Sequence, residues 1–177
     1  GELCKTMSAG VTANTGLDAL THCIEAYVSN IEDNYADVLS KGAMEIIFNN
    51  LKTAVAEPAN LAVRQNMHDA SAMAGFAFTN SWLGIAHSLA HQLGGVFHIP
   101  HGCANAIVLP NVIRFNSKAT ARYNDLAVVC GKQNSEDLAK EVEALRESIN
   151  VIGSVKEFGI SVEDWKKNLK QIAANAY

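Results

Sequence analysis

The sequence predicts an all-α fold. Apolar residues recur at helical spacing nearly throughout the 177 residues, no stretch alternates apolar and polar side chains long enough to insist on a strand, and capping residues and glycine or proline stops punctuate the pattern. With 49% apolar residues, a chain of this size buries a core without disulfides or a structural metal.

The elements follow in order. Thr15, with Asp18 three residues on, reads as a capping box that opens a helix through Leu20, Ile24 and Tyr27. A second helix fits Tyr35, Val38, Leu39, Ala43, Ile46, Ile47 and Leu51 and ends before Pro58. A third, roughly Leu61 to Phe78, is dense in small residues (Ala70, Ser71, Ala72, Ala74, Gly75, Ala77), which predicts close backbone approach and a central place. A fourth carries His87 and His91 and is expected to stop at Gly94-Gly95, with a loop over Val96 to Pro100. His101-Gly102 opens a further helix, kinked or broken at Pro110. Lys118 to Cys130 closes at Gly131, Ser135 caps a charged helix reaching Gly153, and Ser161 caps the last. Ile160 and Trp165 are placed there as a hydrophobic staple. No internal repeat or linker divides the chain, so residues 1–177 are expected to form one helical domain. Both ends, Gly1-Glu2-Leu3 and Ala176-Tyr177, read as cuts in a longer protein with no signal peptide.

Charge narrows the function. Fourteen Lys and Arg against 18 Asp and Glu give a net charge of −4, scattered along the chain, which argues against a nucleic-acid or anionic-membrane surface. Cys4, Cys23, Cys103 and Cys130 form no C-x-x-C pair and read as free thiols of a reducing cytosol. From Ala70 to Ile113 there is no Asp, Glu, Lys or Arg, yet four of the six histidines, His87, His91, His98 and His101, lie there. Polar residues and Pro100 interrupt this run too often for a membrane span, so it reads as the buried centre of a domain. Buried histidines need partners, since an unpaired buried polar group costs about 1–3 kcal/mol, and a metal ion is one candidate.

Asp18 and His22 stand four residues apart on one predicted helix face and can share an ion. His87 and His91 have the same spacing. His101 lies 14 residues beyond His87, about 21 Å on an unbroken helix, so it joins them only if the chain reverses after the diglycine. Three imidazoles and a carboxylate, without thiolates, suit Fe²⁺ or Zn²⁺ with a position open to substrate. Taken singly, Asp18 reads equally as a helix-start carboxylate, and each histidine as a hydrogen-bonded core residue.

Two segments carry a resemblance. Thr15-Gly16-Leu17-Asp18-Ala19-Leu20-Thr21-His22, continuing to Glu25-Ala26-Tyr27, resembles the first metal motif of the iron-containing (group III) alcohol dehydrogenases. The run from Asn80 to Asn105, NSWLGIAHSLAHQLGGVFHIPHGCAN, is similar to their long second signature. The resemblance covers essentially the whole chain but only the helical C-terminal half of such an enzyme, whose fold is dehydroquinate synthase-like. It implies Asp18, His22, His87 and His101 as metal ligands and His91 as an additional histidine beside the nicotinamide, both catalytic and cofactor-binding. Asn80, Trp82 and Leu83 would line the substrate side, and His98, at a position that varies within the family, would stand behind the ligands or be structural. It further implies an NAD(P)-dependent oxidoreductase of small alcohols and aldehydes with Fe²⁺ or Zn²⁺, its nucleotide bound mainly by an upstream domain, and a homo-oligomer when full-length. On that reading the chain alone binds metal but turns over weakly or not at all. Rival readings are a zinc-dependent glycerol dehydrogenase-like enzyme, a helical phosphohydrolase built on His68-Asp69, and a non-catalytic assembly module.

Overall fold

The computed structural model describes residues 1–176; Tyr177, the last residue of the expected helical pattern, lies outside the described residues. Among the described residues there are eight α-helices, a short 3-10 turn at Glu2–Cys4 and no strand. The helices are α1 (Ala9–Val28), α2 (Asn34–Ala56), α3 (Leu61–Ser81), α4 (Ile85–Phe97), α5 (His101–Asn116), α6 (Arg122–Val129), α7 (Ser135–Ser148) and α8 (Val162–Asn175). No helix is long and apolar enough to cross a membrane among these residues, and all four cysteines are unpaired.

The central helix is α1, not α3. It packs against α2 and α3 on one side and α5 on another, with further contacts to α4 and α6, and Leu17, Leu20, Cys23 and Ile24 are sealed in the main core. By contrast, α3 buries Ala70, Ala74 and Ala77 against its neighbours but leaves Ser71, Ala72 and Phe76 exposed. Its small residues form one contact stripe rather than a fully enclosed helix.

Close approaches fix how the helices around α1 sit. Gly16 lies so near Leu51 of α2 that a Cβ would clash with its methyl groups, and a Cβ on Gly102 would collide with the Asn14 carbonyl oxygen of α1. The second contact presses the first turn of α5, and with it His101, onto the helix that carries Asp18.

Several expected boundaries move. Helix α1 begins two turns before Thr15: Ser8 is its cap, accepting from the Val11 amide at 3.3 Å. Thr15 sits inside the helix and returns its hydroxyl to the Val11 carbonyl at 2.8 Å, a bond that mid-helix threonines make readily. The diglycine does not end α4; the helix runs on to Phe97, and His98 takes the left-handed turn at φ 56°, donating its amide to the Gly94 carbonyl at 3.0 Å. Gly94 remains helical, and a Cβ there would meet the Ile99 carbonyl at 3.4 Å, an ordinary van der Waals distance. Pro110 does not break the helix, since α5 continues through it to Asn116. Nearly every face of α5 is buried around that position, and tertiary packing outweighs the lost amide bond there.

At the C-terminal end, α6 is shorter than expected, starting at Arg122. Asn134 rather than Ser135 caps α7, accepting from the Asp137 amide at 3.0 Å, and α7 ends at Ser148. Ser161 caps α8 as expected. Trp165 of α8 stacks on Phe97 of α4 at 6.1 Å between ring centres.

Candidate metal centre

Helix geometry brings Asp18 and His22 to one face of α1, because residues four apart are neighbours across one turn. His87 enters from the first turn of α4 and His101 is the first residue of α5. The three-residue reversal over His98, Ile99 and Pro100 replaces the separation that an unbroken helix would impose. Potential ligand atoms of Asp18, His22 and His87 all lie within 4.8 Å of one another, the group of this kind found among the described residues. The His22 and His87 rings stack at 4.5 Å with 12° between their planes. His101 stands at the rim of that group, its Nε2 3.4 Å from Asp18 Oδ1 and its ring centre 5.3 Å from that of His87.

One orphan atom tests whether these residues fit a cation. His87 is 2% exposed, and its Nε2 has no hydrogen-bond partner, lying 3.6 Å from Asp18 Oδ1. A buried nitrogen left so is costly unless something fills the gap. A hard carboxylate and imidazoles around one point are the donor set that a divalent iron or zinc ion accepts. The residues fit the ion.

The site's electrostatics follow from burial and from these neighbours. Burial pushes His22 down to about 4, an effect the Asp18 charge only partly offsets. Burial pushes His87 down too, but its contacts with the Asp18 and Glu25 carboxylates outweigh that and raise it to about 9. Burial raises the Asp18 carboxyl, yet the His87 contact, the His22 charge and the Asn105 hydrogen bond together bring it below the ordinary value. His101 is lowered chiefly by burial. Near neutral pH these neighbours favour a neutral His22 and a proton on His87 facing its carboxylates.

Two residues at the site were given no role from the sequence. Glu25, 3% exposed, contacts His87 Nδ1 at 2.6 Å. Asn105 is fully buried and donates from Nδ2 to Asp18 Oδ1 at 2.7 Å, with His101 Nε2 3.2 Å away. Both carried a signal in spacing: Glu25 extends the Asp18, His22 face by one more turn, and Asn105 lies one turn past His101.

Other candidates fall elsewhere. His91 lies one turn beyond His87, exposed, stacked on His101 at 5.1 Å. It joins Phe78, Trp82, Leu83 and His87 around a cleft of about 440 Å³ beside the centre. Trp82 and Leu83 line that cleft, whereas the Asn80 amide turns back to the Phe76 carbonyl and does not. His98 is a helix-ending residue away from the group. His68 and Asp69 are exposed on α3, and Asp69 accepts from Gln65.

Fold and site together define a helical domain organised around a candidate divalent-cation centre. The Fe-containing alcohol dehydrogenase family, C-terminal, matches residues 12–177, and the chain belongs to that family. It is 42% identical over 182 residues to an NADPH-dependent butanol dehydrogenase of Clostridium saccharobutylicum, covering 99% of this chain and 46% of that protein. An iron-containing alcohol dehydrogenase from Thermococcus thioreducens superposes with a TM-score of 0.91 at 31% identity, over 98% of this chain and 45% of its own. A sulfoacetaldehyde reductase from Bifidobacterium kashiwanohense, solved in complex with NAD+, superposes with a TM-score of 0.89 at 28% identity, over 97% and 46%. The chain thus spans about half the length of these relatives.

Proposed function

We propose that the chain is the metal-holding half of an oxidoreductase that exchanges hydride between a small alcohol or aldehyde and NAD(P). Asp18, His22, His87 and His101 would hold one divalent ion, Fe²⁺ or Zn²⁺, and NAD(P) would be held mainly by a domain outside these residues. The observation that carries this reading is the convergence of Asp18, His22 and His87 ligand atoms within 4.8 Å around the unpartnered His87 Nε2. When bound, such an ion supplies Lewis-acid polarisation of a substrate oxygen.

The chain's own residues do the rest. Phe78, Trp82 and Leu83 give the cleft beside the centre an apolar wall, which orients the carbon skeleton and keeps water from the reacting carbon. Asn105 holds the Asp18 carboxylate by its amide. His91, exposed on the cleft and stacked on His101, would pass the hydroxyl proton to solvent or sit against the nicotinamide.

Metal analysis of protein purified without oxygen tests the reading. We expect close to one iron or zinc per chain, lost in His87→Ala and retained in His68→Ala. A chain that is stable, metal-free and unchanged by His87→Ala contradicts it. The 177-residue chain alone should show weak or no NAD(P)-dependent turnover; a robust rate would place nucleotide binding within these residues.

A further inference from the structure

Helix α4 has no cap of its own. Its N-cap is Gly84, which offers no side chain, and the amides at the start of a helix need acceptors. The acceptor comes from α1. The Glu25 carboxylate receives the amides of Gly84 at 3.0 Å, Ala86 at 2.6 Å and His87 at 3.4 Å, where the helix dipole also favours a negative charge. The same carboxylate meets the His87 ring at Nδ1, 2.6 Å away. Gly84 is needed for this: a Cβ there would lie 2.8 Å from Glu25 Oε1.

We propose that Glu25 is a positioning residue for the metal centre: by capping α4 and accepting the His87 Nδ1 proton, it presents Nε2 to Asp18 and His22. This rests on the metal-centre reading above. The physical reason is that an imidazole ligating through one nitrogen donates the other N–H to an acceptor, which fixes both the tautomer and the ring plane. Glu25 does this from α1, the helix that also carries Asp18 and His22, so the three elements of the group are keyed to one backbone. A glutamine there keeps the size but loses the charge, and its amide group cannot accept at both ends.

The test measures Zn²⁺ affinity of the chain by competition with a chromogenic chelator. Glu25→Gln is expected to weaken binding by about 10–100-fold, Gly84→Ala to weaken it in the same direction by pushing on Glu25, and His87→Ala to weaken it further. Loss in His87→Ala with Glu25→Gln within about twofold of the unaltered chain overturns the role of Glu25 alone. Unchanged affinity in both contradicts the metal centre, and this inference with it. A second readout needs no variant to fold. In the Zn²⁺-loaded chain, nitrogen and proton NMR should show His87 protonated at Nδ1, with a far-downfield proton. Ligation through Nδ1 would overturn the proposal.

Discussion

His87 and Asp18 compete for the same space as a cation. The contacts that raise His87 to about 9 hold a proton where an ion would bind, and ligating imidazoles must be deprotonated. Below pH 9 metal entry must therefore expel that proton, and each unit of acidification multiplies the competition by about tenfold. The sign is fixed: affinity climbs with pH and levels near 9. Zn²⁺ titrations between pH 6 and 8 check this, and an affinity flat over that range would mean that the His87 proton does not face the ion. The two ligand pairs are separate in chain but both visible as residue types; what the sequence could not supply was the acceptor behind His87. Glu25 lay in a recognised motif without an assigned role, since a glutamate on a helix is usually solvated and only the packed start of α4 reveals its burial.

At the scale of elements, caps and close approaches decide boundaries that periodicity leaves loose. Asn134, not Ser135, accepts the Asp137 amide. Asn134→Ala should therefore lower stability by about 1 kcal/mol, whereas Ser135→Ala, at the first helical position, should change it by less than about 0.5 kcal/mol; thermal or urea unfolding of the two separates them. Gly102→Ala should destabilise by about 1–3 kcal/mol, because its Cβ would collide with the Asn14 carbonyl. The same substitution should weaken metal binding by tilting His101 away from Asp18; a stable variant with unaltered affinity would mean that α5 can slide freely on α1. Helix existence and order were legible from the 3.6-residue pattern. The misplaced ends lie at Thr15, Gly94-Gly95 and Pro110, local start or stop signals inside helices that run on; at Pro110 the burial of α5 overrides the signal. His98 shows the converse, a residue with no glycine-like signal taking the left-handed turn because Ile99 must reach the core.

For the whole molecule, the four expected ligands come from three helices and span Asp18 to His101, so their meeting is a product of the fold rather than of any one segment. An ion bound there would link α1, α4 and α5, and binding to the folded state alone stabilises it by about 2.7 kcal/mol when free metal exceeds Kd a hundredfold. Chelation should lower the melting temperature of the metal-loaded chain, and His22→Ala should remove that dependence. The α4–α5 reversal was expected from the Gly94-Gly95 stop and the loop to Pro100; the turn itself falls later, at His98, Ile99 and Pro100. The surface of α3 was misjudged because small residues signal close contact without saying on how many sides.

The most direct measurement is anomalous diffraction from crystals of the Zn²⁺-loaded chain, recorded on both sides of the zinc edge. One strong peak bounded by Asp18, His22, His87 and His101 is the predicted result. A peak elsewhere, at His68 and Asp69 for example, or none at all, would contradict the metal centre on which the functional reading stands.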